Sequence, residues 1–254
     1  YESIIWKSNH SLGANGFDVN YLNPIIFFRP VEYSINSPDN AIIGLDLKYN
    51  LTLKSNIYAQ LILDEFTLKE IKANNGYWAN KYGYQIGFKY YDLLNITNLT
   101  LHLERNHARP YTYSHWNNAN YGHYNEELAH PLGANFSENI FILHYRKDRL
   151  EIQFKYLDII YGADYLGDTI SYGNNIYSDY NSRSSDFGID MFNGNKTNID
   201  YMQLNLSYIL NPSTNLKIDL SLSSRNLSSE IYDYNTLFYS IGLKSDLFNH
   251  YYDF

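Results

Sequence analysis

The residues best suited to chemistry cluster between Arg109 and Asn135, in RPYTYSHWNNANYGHYNEELAHPLGAN. Tyr111, Tyr113, His115, Trp116, Tyr121, His123 and Tyr124 supply flat apolar faces, and Asn117, Asn118, Asn120, Glu126 and Glu127 supply directional polar groups. Sugar recognition needs both together: rings to cover C–H surfaces, and donors and acceptors to read hydroxyls. The same rings could instead pack on one another to order a long loop that has no strands of its own. The residues alone leave both roles open. The Gly133–Ala134–Asn135 end reads as a turn entering a strand.

Other chemistries find less support. His102, His107, His115, His123, His130 and His144 are close in sequence but lack HExxH form and i,i+4 helical spacing. The chain has no Cys, so a Cys-based zinc site and a disulfide frame are excluded. No metal and no cofactor is expected. Asp64/Glu65 and Glu126/Glu127 are sequence neighbours, which on strands point to opposite faces, a poor arrangement for paired-carboxylate catalysis. No nucleophile elbow, phosphate loop or nucleotide fingerprint occurs. No catalytic residues are expected. A net charge of −8 without any Lys/Arg block argues against nucleic acid as a partner.

The elements that must hold these residues are strands. In TNLKIDLSLSS, Leu216, Ile218, Leu220 and Leu222 fall on one face, and Lys217, Asp219 and Ser221 on the other. Met202, Leu204, Leu206 and Tyr208 oppose Gln203, Asn205 and Ser207, and Ile152, Phe154 and Tyr156 oppose Glu151, Gln153 and Lys155. Helical periodicity is confined to 66–75. The period assigns Leu45, Leu47, Ile86, Phe88, Leu101, Phe154, Leu204, Leu206, Ile218, Leu220 and Ile241 to one face. Lys48, Gln85, Lys89, Glu151, Gln153, Lys155, Gln203, Lys217 and Asp219 belong to the other. About eleven strands are expected, the first two, near 2–8 and 24–34, being the weakest because Pro24 and Pro30 interrupt the second.

Connections carry a second pattern. Those near 50–55, 92–97, 146–149 and 211–214 are short; those near 66–80, 108–136 and 162–199 are long, and 225–235 is intermediate. In a meander this alternation places short turns at one end and long loops at the other, the layout of an outer-membrane barrel. With 28 Tyr and a mean hydropathy of −0.43, the composition suits a surface that meets two media. The expected fold is all-β: a transmembrane antiparallel up-and-down β-barrel over residues 1–254. The odd strand count and the start at Tyr1 imply that the chain begins within a larger barrel.

The ending SIGLKSDLFNHYYDF resembles the terminal strand read by the barrel-assembly machinery, with Gly242, Phe248, Tyr252 and Phe254 as the signal residues. YLNPIIFFRPVEYS (21–34), LILDEF (61–66), RPYTYSH (109–115) and YGHYNEELAHPLGANFSE (121–138) resemble segments of the gliding-motility RemB-type proteins, related to the capsule-assembly Wzi-type family. The resemblance spans most of residues 17–254. It implies a non-enzymatic barrel in the outer membrane of a Gram-negative bacterium, contacting outer-membrane lipid and the assembly machinery. It would bind or anchor surface polysaccharide, or serve a gliding or adhesion assembly. Tyr111, Tyr113, His115, Trp116, Tyr121, His123, Tyr124 and Glu126 are the expected polysaccharide contacts. A barrel enzyme acting on lipid or glycan, or a passive porin-like channel, is the alternative. Loops folded over the lumen would favour binding; an open channel would favour transport.

Overall fold

The period-2 segments form one antiparallel meander. The computed structural model describes residues 2–5, 39–65, 67–115 and 119–245. In chain order the strands are β1 (Glu2–Ile5), β2 (Asn40–Thr52), β3 (Ser55–Glu65), β4 (Lys81–Tyr91), β5 (Leu99–Ala108), β6 (Gly122–His123), β7 (Glu126–Glu127), β8 (Phe136–Lys147), β9 (Leu150–Ala163), β10 (Asn195–Asn211), β11 (Leu216–Ser229) and β12 (Asp233–Ser245). All except β6 and β7 belong to a single ten-stranded sheet in sequential order. The strand expected over 24–34 lies outside the described residues. Strands β6 and β7 pair only with each other, so the loop from Arg109 to Asn135 carries a small hairpin where none was expected. The expected helix is one short element, α1 (Leu68–Ala73).

Short and long connections alternate as the sequence implies. Leu53–Lys54, 92–98, Asp148–Arg149 and 212–215 close one end, while 66–80, 109–135 and 164–194 gather at the other. The last connection departs from expectation: 225–235 is mostly strand, and only 230–232 turns. Cross-strand pairing of Leu227 with Tyr234 extends the ladder almost to its tip. Edge strands β1 and β12 do not pair with each other among the described residues, so the sheet is open.

The two faces are inverted relative to a water-soluble sheet. Register places every apolar residue of the expected set on one face and every polar residue of the expected set on the other. The apolar face is bare: Leu47 is 58% exposed, Ile86 56% and Ile241 76%. On the opposite face Asn56, His102, Glu104, Asn106, Glu138, Lys155 and Lys217 are buried. The long loops fold onto this second face. Tyr113, Ala134 and Ile176 from the loops make a core with Ile42, Ala108 and Phe136 from the strands. Alternation breaks down near the loop end of β8–β11, where Ile140, Leu157, Ile159, Ile199 and Leu227 form an apolar cluster on the same face as the polar residues, beneath Leu132.

Two glycines of β4 make close approach possible. A Cβ on Gly87 would collide with the Tyr58 ring, and one on Gly83 would sit 2.9 Å from the Tyr113 hydroxyl. The missing side chains let the Tyr58 ring and the Tyr113 hydroxyl come close to the strand.

Candidate functional site

Three long connections interlock above the polar face through Lys81, the first residue of β4. Lys81 is fully buried, and its Nζ lies 3.9 Å from Asp64, 3.3 Å from Glu65 and 3.0 Å from the Ser114 carbonyl, to which it donates. The rings of Trp78 and Tyr180 flank the ammonium at 5.2 and 4.7 Å. Asp64 also accepts from the Tyr113 backbone N–H at 3.0 Å. Adjacent carboxylates reach one cation here because the β3–β4 register shifts between Leu63 and Glu65, a bulge that re-aims the side chains. The opposite-face expectation for Asp64/Glu65 fails at this bulge.

Tyr111 and Tyr113 are 1% and 5% exposed, so neither offers a free ring face. Tyr111 meets Trp78 edge-on at 6.0 Å and donates its hydroxyl to the Ser171 carbonyl at 2.7 Å. Burial pushes that phenol up to about 12. Tyr113 stacks with Tyr121 at 6.0 Å. His115 is buried, and its backbone N–H donates to Asn120 Oδ1 at 2.8 Å. Burial first, and then the charge of Lys81, hold its imidazole down at about 4. Tyr121 is half-buried. His123, Tyr124 and Glu126 stand exposed on the β6–β7 hairpin, with Tyr124 91% exposed and His123 paired in register with Glu126. Trp116, Asn117 and Asn118 lie outside the described residues. So do Phe248, Tyr252 and Phe254; Gly242 sits in β12 with open space around it.

Between the hairpin loop and the polar face lies a cavity of about 170 Å³, lined among others by Gln60, Gln85, Asn106, Tyr113, Tyr121 and His130. A hydrogen-bonded chain forms its floor. Glu104 accepts from Gln85 at 3.0 Å, from Asn106 at 2.9 Å and from Tyr58, whose hydroxyl also lies 2.6 Å from His102 Nε2. Asn106 donates to Glu138 at 3.1 Å, and His130 Nε2 lies 3.0 Å from the same carboxylate oxygen. The fold therefore brings Glu104 and Glu138 together, a pair the sequence did not suggest, because it arises from register across β5 and β8. Both oxygens of Glu104 and the Oε2 of Glu138 are engaged by protein groups, so the arrangement is built for rigid hydrogen bonding. Among the described residues, no group of three or more His, Asp or Glu is placed to hold a metal ion.

Sequence reasoning also missed Asn135, read only as a turn residue. Its Nδ2 lies 2.9 Å from the Gly162 carbonyl, 2.9 Å from that of Asn193 and 3.2 Å from that of Tyr172, and its Oδ1 accepts from Phe192 N–H at 2.7 Å. Asn174 adds donors to the Leu132 and Ala134 carbonyls at 2.9 and 2.6 Å. Together they tie the 109–135 loop to the 164–194 loop. No family model matches this chain, and no curated protein or solved structure matches it either.

Proposed function

We propose that this chain is an outer-membrane β-barrel protein of a Gram-negative bacterium. It carries no enzymatic activity and binds or anchors polysaccharide at the cell surface, in the manner of a gliding, adhesion or capsule assembly. The inversion of the faces carries the reading. A sheet that buries Glu104, Glu138, Lys155 and Lys217 while exposing Leu47, Ile86, Leu220 and Ile241 has its polar side inside and its apolar side out. Such continuous apolar surface is characteristic of contact with a partner or a membrane. The loops support binding over passive conduction, since they fold onto the polar face and form there a cavity of about 170 Å³, which is of monosaccharide scale. The resemblance to the RemB- and Wzi-type proteins points the same way.

In this reading the rings available to a glycan are Tyr121 at the cavity and Tyr124 on the hairpin, with His123 and Glu126 beside Tyr124 as hydrogen-bonding partners. The buried Tyr111, Tyr113 and His115 hold the loop in place. The test is a glycan array probed with wild type and the Tyr121→Ala and Tyr124→Ala variants. A sugar-stacking ring contributes on the order of 1–2 kcal/mol, so at least one variant loses about tenfold in affinity. Unchanged binding by both folded variants would leave the loop purely structural. Recovery of the native protein in the soluble fraction would remove the membrane part of the proposal.

A further inference from the structure

The bare face is not apolar in a band perpendicular to the strands. On β2, β3 and β4 the apolar side chains run from Ile43, Leu63 and Tyr82 near the long loops to Tyr49, Ile57 and Tyr90. On β5 the same face turns polar at Arg105, and the register row through it reads Arg105, Asn139, Asp158, Asp200, Asn226 and Asn235 on β5, β8, β9, β10, β11 and β12. Arg105 donates to Asn139 at 2.9 Å and Asn139 to Asp158 at 2.9 Å. Continued onto β4, that row meets Ile86, then Ala59 on β3 and Leu47 on β2, in the middle of the apolar stretch there. On β11 the apolar stretch begins only at Leu222 and runs down to Leu216.

Tyrosines mark the lower border of the same slope. From Tyr49 on β2 the register row passes through Ile57 to Phe88, and Tyr90 lies one row lower on β4. From Tyr90 the row passes through Leu101 to Leu143, and Tyr145 lies one row lower on β8. From Tyr145 it passes through Ile152 to Leu206, and Tyr208 lies one row lower on β10. Each step is two residues along the strand for every two strands crossed. At about 3.3 Å per residue and about 4.8 Å between strands, this is a slope of about 35°.

We infer that the apolar belt is the hydrocarbon contact surface, that Tyr49, Tyr90, Tyr145 and Tyr208 lie level at one membrane–water interface, and that the strands therefore cross the bilayer tilted by about 35° from its normal. The inference rests on the membrane reading above and adds the orientation. Two features set it: a border of amphipathic rings, which prefer the interface, and a polar row that leaves the belt from β5 onward. The angle falls at the edge of the 35–45° that transmembrane barrels require, with a stagger near one residue per strand.

Because the chain lacks Cys, single cysteines can be placed at will. Ile86→Cys, Asn226→Cys, Leu47→Cys and Leu220→Cys are labelled with an environment-sensitive fluorophore. The full chain is then folded into phosphatidylcholine vesicles that carry bromines at defined acyl depths. Ile86 and Asn226 share a register row, whereas Leu47 and Leu220 lie three rows apart. The tilted belt predicts that deep bromines quench the Ile86 label severalfold more than the Asn226 label, and that they quench the Leu47 and Leu220 labels alike. Equal quenching at Ile86 and Asn226, with unequal quenching at Leu47 and Leu220, would overturn the tilt and leave the membrane reading intact. No quenching at any site or depth would overturn both. If one cysteine variant fails to fold, the other pair still separates these outcomes.

Discussion

Replacing Lys81 by Met should release the loop cap while sparing the sheet. The ammonium is fully buried against Asp64, Glu65 and the Ser114 carbonyl, between two aromatic rings. Met keeps most of the volume but leaves the fully buried Asp64 without its cation, and breaking a buried pair from one side costs about 3–5 kcal/mol. The β-ladder hydrogen bonds are untouched, so the cost falls on the docking of the 109–135 loop through Asp64 and Tyr113. Opening of that loop should rise by about two to four orders of magnitude. Hydrogen–deuterium exchange reads this directly as lost protection at Tyr113, Ser114 and their neighbours, with β9–β11 amides as internal controls. The double variant Lys81→Met/Asp64→Asn returns the cluster to its wild-type net charge, leaving only the partly exposed Glu65 carboxylate, and keeps an acceptor for the Tyr113 N–H, so it should recover most of the protection. Equal exchange in wild type and Lys81→Met would refute the reasoning. So would a double variant no better protected than the single, since the deficit would then be lost packing and not an uncompensated charge.

Two further outcomes follow from the same cap. Asn135→Ala removes the side-chain hydrogen bonds that tie the 109–135 loop to β9 and to the 164–194 loop, at a cost of about 3 kcal/mol, and should make both the 109–135 and 164–194 segments susceptible to limited proteolysis together; cleavage confined to one segment would count against the tie. His115 has its pKa lowered from 6.5 to about 4. The folded state therefore binds fewer protons, and the contribution of the neutral ring is fully present above about pH 6.5 and is lost as the pH falls through the window down to about 4. Over that window loop protection should fall by up to about 3 kcal/mol, and His115→Gln should flatten the profile.

The strand pattern was legible because one physical cause repeats without interruption. Leu216 to Leu222 alternate with Lys217, Asp219 and Ser221, and nothing in that stretch competes with period 2. Where a second cause intervenes, the reading fails. Ile159 and Leu157 pack beneath Leu132 on the otherwise polar face, so a continuous apolar run there reflects loop cover, which the strand itself does not announce. Asp64 and Glu65 share Lys81 only because of a bulge, and bulges leave no reliable mark in composition. Asn135 reads as a turn residue and does adopt a left-handed φ of 55°, yet its side chain joins segments far apart in sequence. Tyr111 and Tyr113 also hold positive φ, at 65° and 74°, a conformation that no tyrosine advertises.

The aromatics show most clearly where sequence stops and register begins. In the loop, Tyr111, Tyr113 and Tyr124 have the same chemistry, and only burial separates rings that pack from a ring that can meet a ligand. On the strands, Tyr49, Tyr90, Tyr145 and Tyr208 follow no period along the chain. Once each strand is paired with its neighbours, they fall on a straight line across the bare face. A line set at an angle to the strands has no local cause, because hydrogen bonding between strands favours rows perpendicular to them. A flat boundary between two media, crossed by inclined strands, produces it, since rings with an apolar body and a polar tip settle at that boundary wherever each strand meets it. On the membrane reading proposed above, the slope of the tyrosines is the mark that such a boundary would leave on the sheet.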